Sequence, residues 1–292
     1  MLRNAGKKLP GTPTPMTYWT ASDGVQIAGD HWGDPSGPLV FLQHGGGQTR
    51  HAWKNTGETL GSAGYHAVAF DARGHGDSGW AEPGNYGVDF MVDDLHAVTE
   101  ALGGKTPVLV GASMGGGTSL VAIGEKKITA KALVLVDMAP RIEEDGHKQI
   151  QEFMDQCPDG FDSLEQVAEA ISNYQPHRTR KRNLDGLAKN VRLGEDGRFR
   201  WHWDPAWRRG RASMNDYRAR LHKNAYNIDV PTLLVRGALS NVLSEEGAQD
   251  FLKQCPHAEY INVKSAAHMV AGDRNDIFAD AVIEFLGRVA PV

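Results

Sequence analysis

The sequence predicts an α/β fold, with a mostly parallel eight-stranded sheet flanked by helices and one helical insertion in the second half of the chain. Three observations predict it. Short continuous apolar runs, such as Leu39-Val40-Phe41-Leu42 and Ala132-Leu133-Val134-Leu135-Val136, suit strands buried on both faces. Stretches with apolar residues at helical spacing separate those runs, which implies crossovers between parallel neighbours. Residues 141–226 then break the rhythm, being polar, without buried-strand runs, and helical in patches such as 164–172. We therefore divide the chain into a core, residues 1–140 and 227–292, and an insertion over the sheet ends, residues 141–226.

The elements follow in order. Residues 16–20 and 25–31 alternate in strand fashion around the turn Ser22-Asp23-Gly24, which predicts an antiparallel hairpin at the sheet edge. Ahead of them, residues 1–15 carry prolines and glycines and read as a loose leader. The apolar run at 39–42 leads into Gln43-His44-Gly45-Gly46-Gly47. A helix over 53–63 stops at Gly64, and Ala67-Val68-Ala69-Phe70 begins the next strand. That strand opens into the loop Asp71-Ala72-Arg73-Gly74-His75-Gly76-Asp77-Ser78. Helical spacing over 90–102 leads to Pro107-Val108-Leu109-Val110 and then to Gly111-Ala112-Ser113-Met114-Gly115. The run at 132–136 ends in Asp137. Residues 232–235 and 259–263 supply the last strands, and a terminal helix spans 273–289.

Composition narrows the function classes. The 292 residues are 40% hydrophobic and 23% charged, with a net charge of −5. That is ample for a sizeable core and gives no global argument for nucleic acid or membrane partners. No apolar run approaches the ~18 residues that span a bilayer, and the leader lacks the apolar centre of a secretory signal. Cys157 and Cys255 lie far apart and make neither a disulfide framework nor a zinc site, so a reducing, cytoplasmic setting is expected. Neither the histidines at 44, 51 and 75 nor the carboxylates fall at zinc-ligand spacing, and no metal is expected. Gly103-Gly104-Lys105-Thr106 ends like a phosphate-binding loop, but position 99 is Thr where the first glycine is required. The run 111–117 is glycine-rich without dinucleotide-binding spacing.

The chemistry concentrates at Gly111-x-Ser113-x-Gly115. Between a strand and a helix this is the nucleophile-elbow pattern, in which the flanking glycines lack the Cβ that would collide across a sharp turn. The Met114 N–H then stands at a helix N-terminus, where it is suited to hold a developing oxyanion. Together with His44-Gly45-Gly46-Gly47, Asp71-x-Arg73-Gly74-x-Gly76-x-Ser78 and the late Ala267-His268-Met269, the pattern resembles the α/β-hydrolase fold family over about residues 16–289. The motifs fall in the family's order: oxyanion loop, elbow, acid region, histidine.

The resemblance implies Ser113 as nucleophile, His268 as general base, and an oxyanion hole made by the Gly46 and Met114 N–H groups. Gly45 and Gly47 are alternative donors, while His44 and His75 read as structural. It also puts the acid in question, because the position where the family usually has Asp is Asn241 here. Three readings stay open: Asp137 supplies the carboxylate from the neighbouring strand, Asn241 replaces it in a slow enzyme, or catalysis is lost. Ser240, Glu245 and Glu246 are poorer candidates.

The implied function is a carboxylesterase-like serine hydrolase, acting without cofactor on small to medium esters, aromatic and carboxylate-bearing acids included. A carbon–carbon bond hydrolase of the meta-cleavage type and a cofactor-free perhydrolase are the enzymatic alternatives. A non-catalytic ligand-binding relative is the alternative from another class. Residues 176–223 carry fourteen Lys/Arg against five Asp/Glu, so the insertion is basic and the remainder of the chain strongly acidic. Salt bridges between the two explain this, and an arginine binding a substrate carboxylate is the sharper reading. Trp201, Trp203 and Trp207 are the candidate apolar wall. The oligomeric state is not legible.

Overall fold

The computed structural model describes residues 5–174, 184–209, 213–273 and 275–292. The strands are β1 (Thr17–Thr20), β2 (Gln26–Trp32), β3 (Leu39–Gln43), β4 (His66–Phe70), β5 (Val108–Ala112), β6 (Ala132–Val136), β7 (Val191–Leu193), β8 (Phe199–Trp201), β9 (Thr232–Gly237) and β10 (Glu259–Val263). The helices are α1 (Lys54–Ser62), α2 (Val88–Ala101), α3 (Met114–Gly124), α4 (Glu144–Met154), α5 (Leu164–Tyr174), α6 (Pro205–Arg209), α7 (Met214–Ala225), α8 (Glu245–Gln254), α9 (Val270–Asp273) and α10 (Asn275–Val289).

Eight strands form one sheet in the order β1-β2-β4-β3-β5-β6-β9-β10. Pairing is antiparallel for β1–β2 and β2–β4 and parallel from β4 onward. Strands β3, β4 and β6 are buried at every residue, as continuous apolar runs require when helices cover both faces. One layer packs Leu95, Val98, Leu120, Val121 and Phe251 against the sheet, and the opposite layer packs Trp53, Leu60, Phe278 and Phe285. Chain order reverses beside β3, with β4 on one side and β5 on the other. Loops leaving β3 and β5 therefore diverge at the C-terminal strand ends, where open α/β sheets place their ligand sites.

Two sequence expectations need correction. Between β6 and β9 the chain forms helices α4 to α7, but it also forms the antiparallel hairpin β7–β8. Each hairpin strand is three residues long and carries an arginine, Arg192 or Arg200, so no apolar run announced it. The leader is not loose over its described part. Lys7 exchanges both backbone hydrogen bonds with Leu193 at 2.8 and 2.9 Å, and Lys8 meets Asp77 at 2.8 Å. The exposed edge of β7 offers unpaired backbone groups, and residues 6–8 fill them.

Candidate active site

The loop after β4 is a rigid frame at these strand ends. Arg50, fully buried, donates to Asp30 at 2.9 Å, Asp71 at 2.6 Å and Asp77 at 3.1 Å. Arg73 grips Asp94 through Nε at 2.7 Å and Nη2 at 2.6 Å, and it also meets Asp23. Buried charges on this scale persist only when each is paired, and here they fix the course of residues 71–78.

On that frame Ser113 sits between β5 and α3 with φ 45° and ψ −109°. This is a sparsely populated conformation for a residue with a side chain, costing about 1–3 kcal/mol. Packing enforces it. A Cβ on Gly115 would lie 2.5 Å from Gln43 Cβ, and one on Gly111 would strike the backbone of Gly115 and Gly116. The Ser113 N–H is tied to Val136 O at 3.3 Å, which brings the turn against the end of β6.

The next residue after β6 is Asp137, also at positive φ, 48°, and completely buried. Its Oδ1 accepts from the Gly237 N–H at 2.9 Å. Its Oδ2 accepts from Ser240 Oγ at 2.5 Å and from His268 Nδ1 at 2.7 Å. A carboxylate only accepts, so Nδ1 carries the ring hydrogen and Nε2 keeps a lone pair. The His268 loop reaches this point because Gly237 has no side chain; a Cβ there would sit 2.7 Å from Ala266 O and closer still to Ala267 O. Leu239 N–H bonds Ala266 O at 2.9 Å and holds the two loops together. Among the described residues no hydrogen bond joins Ser113 Oγ to the imidazole.

Asn241 is exposed, and its amide donates to Gln149 Oε1 at 2.6 Å. Of the two positions the sequence offered as partner of His268, the structure joins Asp137 to the ring and turns Asn241 to the insertion. Ser240, a poorer candidate, supports the carboxylate from behind.

The glycine loop 45–47 is pinned peptide by peptide. His44 Nδ1 donates to Gly45 O at 2.7 Å, while its Nε2 accepts from the Ala72 N–H at 2.9 Å. In a trans peptide the N–H opposes the C=O, so the Gly46 N–H points away from His44. Gly45 N–H is engaged by Gln48 Oε1 at 3.1 Å and Gly47 N–H by His75 Nε2 at 3.2 Å. Among the described residues the N–H of Gly46 has no protein acceptor. This singles out Gly46 from its two neighbours, a distinction that three identical letters in the sequence did not carry. Burial holds the His44 imidazole below its ordinary pKa, in keeping with its neutral, doubly bonded ring.

The insertion covers this loop with aromatic surface. A Cβ on Gly46 would lie 2.8 Å from the Trp207 ring, and one on Gly47 would lie 2.6 Å from the Met154 methyl and 3.4 Å from Trp203. Trp201 stacks behind Trp203 with centroids 5.0 Å apart and planes 12° from parallel, so it supports the wall rather than facing the loop. Five described arginines of the insertion are paired with carboxylates of the protein. Arg192 pairs with Asp77, Arg198 with Asp162, Arg200 with Asp196, Arg208 with Asp155, and Arg220 with Asp89 and Glu125. Arg178, Arg180, Lys181, Arg182 and Arg211 lie outside the described residues. Among the described residues no three His, Cys, Asp or Glu side chains are grouped to hold a metal ion, and no helix is long and apolar enough to cross a membrane.

Comparison with known proteins bears on the fold and the family. An esterase of Mycobacterium tuberculosis is 27% identical over 254 residues, covering 85% of this chain and 82% of the relative. A bifunctional esterase/perhydrolase of Acinetobacter calcoaceticus is 35% identical over 127 residues, 43% of this chain and 46% of its own. The crystal structure of E-2-(acetamidomethylene)succinate hydrolase superposes with a TM-score of 0.78 at 21% identity, over 92% of this chain and 98% of that one. The family model described as alpha/beta hydrolase fold matches residues 38–274, and the chain belongs to that family.

Proposed function

We propose that the protein is a serine hydrolase that cleaves carboxylic esters of small to medium, apolar acids through an acyl-enzyme. The observation that carries this reading is the buried Asp137–His268 pair beside a serine forced into a sharp, strained turn. His268 Nε2 takes the Ser113 hydroxyl proton as Oγ attacks the ester carbonyl. The carbonyl oxygen becomes an oxyanion held by the Gly46 and Met114 N–H groups. His268 returns the proton to the departing alcohol, then removes one from the water that hydrolyses the acyl-serine. Asp137 keeps the ring in the Nδ1–H tautomer and stabilises the imidazolium. The role does not require a Ser113–His268 hydrogen bond before substrate arrives, since such contacts tighten in the Michaelis complex.

Segment 141–226 acts as the cap, and its Trp207, Trp203 and Met154 make the apolar wall of the acyl or alcohol site. The arginine–carboxylate pairings in the insertion favour an uncharged acid over a carboxylate-bearing one. The non-catalytic reading rested on Asn241, and it weakens once Asp137 holds the ring. Perhydrolysis is a second reading, favoured by likeness to the esterase/perhydrolase, because hydrogen peroxide can replace water at the same acyl-serine.

A fluorophosphonate probe tests the reading directly. Mass spectrometry should place the adduct on Ser113, and Ser113→Ala should take no label. Absence of labelling in the wild-type protein overturns the proposal. A panel of p-nitrophenyl esters set against a vinylogous diketo acid separates ester hydrolysis from carbon–carbon cleavage.

A further inference from the structure

His202 lies in the insertion, between Trp201 and Trp203, and no motif in the sequence gives it a role. It is almost fully buried and uses both ring nitrogens across the insertion–core boundary. Nδ1 accepts from the Gly76 N–H at 2.8 Å, and Nε2 faces the Gly47 carbonyl at 3.3 Å. An amide N–H only donates and a carbonyl only accepts, so the ring is neutral with its hydrogen on Nε2. Its surroundings enforce that state. Burial, the His75 ring 5.9 Å away, Arg192 and His44 all disfavour a second proton. Asp77, the nearby carboxylate, is already bound by Arg50, Arg192 and Lys8.

The bond matters because of what it holds. Three successive glycines have the least conformational preference a chain can have, so the loop's geometry must come from outside. His44 fixes the Gly45 carbonyl and His75 fixes the Gly47 N–H, both from the core. The Gly47 carbonyl is fixed from the insertion, and among the described residues His202 is its only partner.

We propose that His202 is a positioning residue for the oxyanion hole: by clasping the Gly47 carbonyl from the insertion, it sets the Gly46 N–H for the transition state. The inference rests on the serine-hydrolase reading above. It makes the hole complete only when residues 199–207 are seated on the core, so the cap takes part in catalysis as well as in shaping the pocket.

Two substitutions separate the two contacts. His202→Asn keeps an acceptor near the Nδ1 position for Gly76 and loses the reach to Gly47. His202→Gln places an amide N–H near the Nε2 position and loses Gly76. On the full chain with p-nitrophenyl acetate, His202→Asn should lower kcat by about 10- to 100-fold with KM changed less than about threefold, as for a misplaced oxyanion donor. His202→Gln should recover most of that loss. Phenylboronic acid, which adds to the serine as a tetrahedral mimic, should bind His202→Asn more weakly by the same factor as kcat falls. Thermal melts establish that both variants are folded. A role confined to packing would give equal losses in the two variants, or a loss in KM and stability with kcat intact, and either result overturns the inference. An active wild type with those results refutes the clasp alone, whereas a wild type that neither turns over esters nor takes the fluorophosphonate refutes the hydrolase reading with it.

Discussion

At the scale of single residues, the sharpest question is which side chain partners His268, and the contacts make it answerable by charge. Asp137 is completely buried and holds three donors: the Gly237 N–H, the Ser240 hydroxyl and the His268 ring. Asp137→Asn keeps the shape but loses the charge that stabilises the imidazolium, and its NH2 must oppose a donor, either the Gly237 N–H or the Ser240 and His268 pair. Its kcat should fall by about 10⁴-fold, the size of that substitution in the serine-protease triad. Asn241 is exposed on Gln149, so Asn241→Asp should alter kcat by less than about threefold. Steady-state kinetics of the two variants decide the assignment. A large gain from Asn241→Asp, or an active Asp137→Asn, would move the acid back to the position after β9. The sequence left this open because both residues follow a strand run closely, and one-dimensional spacing does not say which strand end faces the histidine loop. Ser113 and His268 entered the candidate site through local motifs: glycines around a turn, and a histidine just past the last strand. Gly46, by contrast, is distinguished from Gly45 and Gly47 only by the hydrogen bonds that those two donate to residues 48 and 75.

At the scale of elements, the site exists because loops from β5, β6, β9 and β10 converge at one end of the sheet, and close backbone approaches hold them there. Gly237 is the most exacting of these. It ends β9, donates to Asp137, and leaves room for the carbonyls of Ala266 and Ala267, two and one residues before the histidine. In Gly237→Ala the added methyl overlaps backbone, which cannot rotate away as a side chain would. The His268 loop should shift, lowering kcat by about 100-fold or more while costing only on the order of 1–3 kcal/mol of stability. Kinetics and melting curves measured on one preparation test it, and wild-type kcat would show that the loops tolerate the methyl. The apolar runs of β3, β4 and β6 announced themselves because both faces are buried. The hairpin β7–β8 did not, because Arg192 and Arg200 interrupt strands only three residues long. The leader was misread for a related reason: its partner edge, β7, was itself invisible.

For the whole molecule, imidazoles that burial keeps neutral make stability depend on pH, and the sign of their contribution is fixed. His44, His51, His66 and His202 all sit below the ordinary histidine value, with burial the first cause in each. His51, beside the Arg50 guanidinium, is lowered to about 4. A folded-state value below the unfolded one means that the unfolded chain binds more protons as the medium is acidified. The stability from these groups is therefore fully present above about pH 6.5, the unfolded value, and is lost as pH falls from there toward the folded values. His51 alone should account for a loss on the order of 2 kcal/mol by pH 5. Carboxylates lowered by their partners, Asp23 beside Arg73 and Asp77 beside Lys8, Arg50 and Arg192, act in the same direction but only below about pH 4. Melting temperature should accordingly fall between pH 7 and 5, with the buried Asp94, raised to about 6 by burial, opposing part of that descent, and fall again in stronger acid as the lowered carboxylates titrate. His51→Gln keeps a neutral hydrogen-bonding side chain without the titration, so it should flatten the first descent while leaving the second. A melting temperature constant from pH 7 to 5 would mean that the unfolded chain takes up no net extra protons there, and that these imidazoles are charged in the fold far more readily than their burial implies.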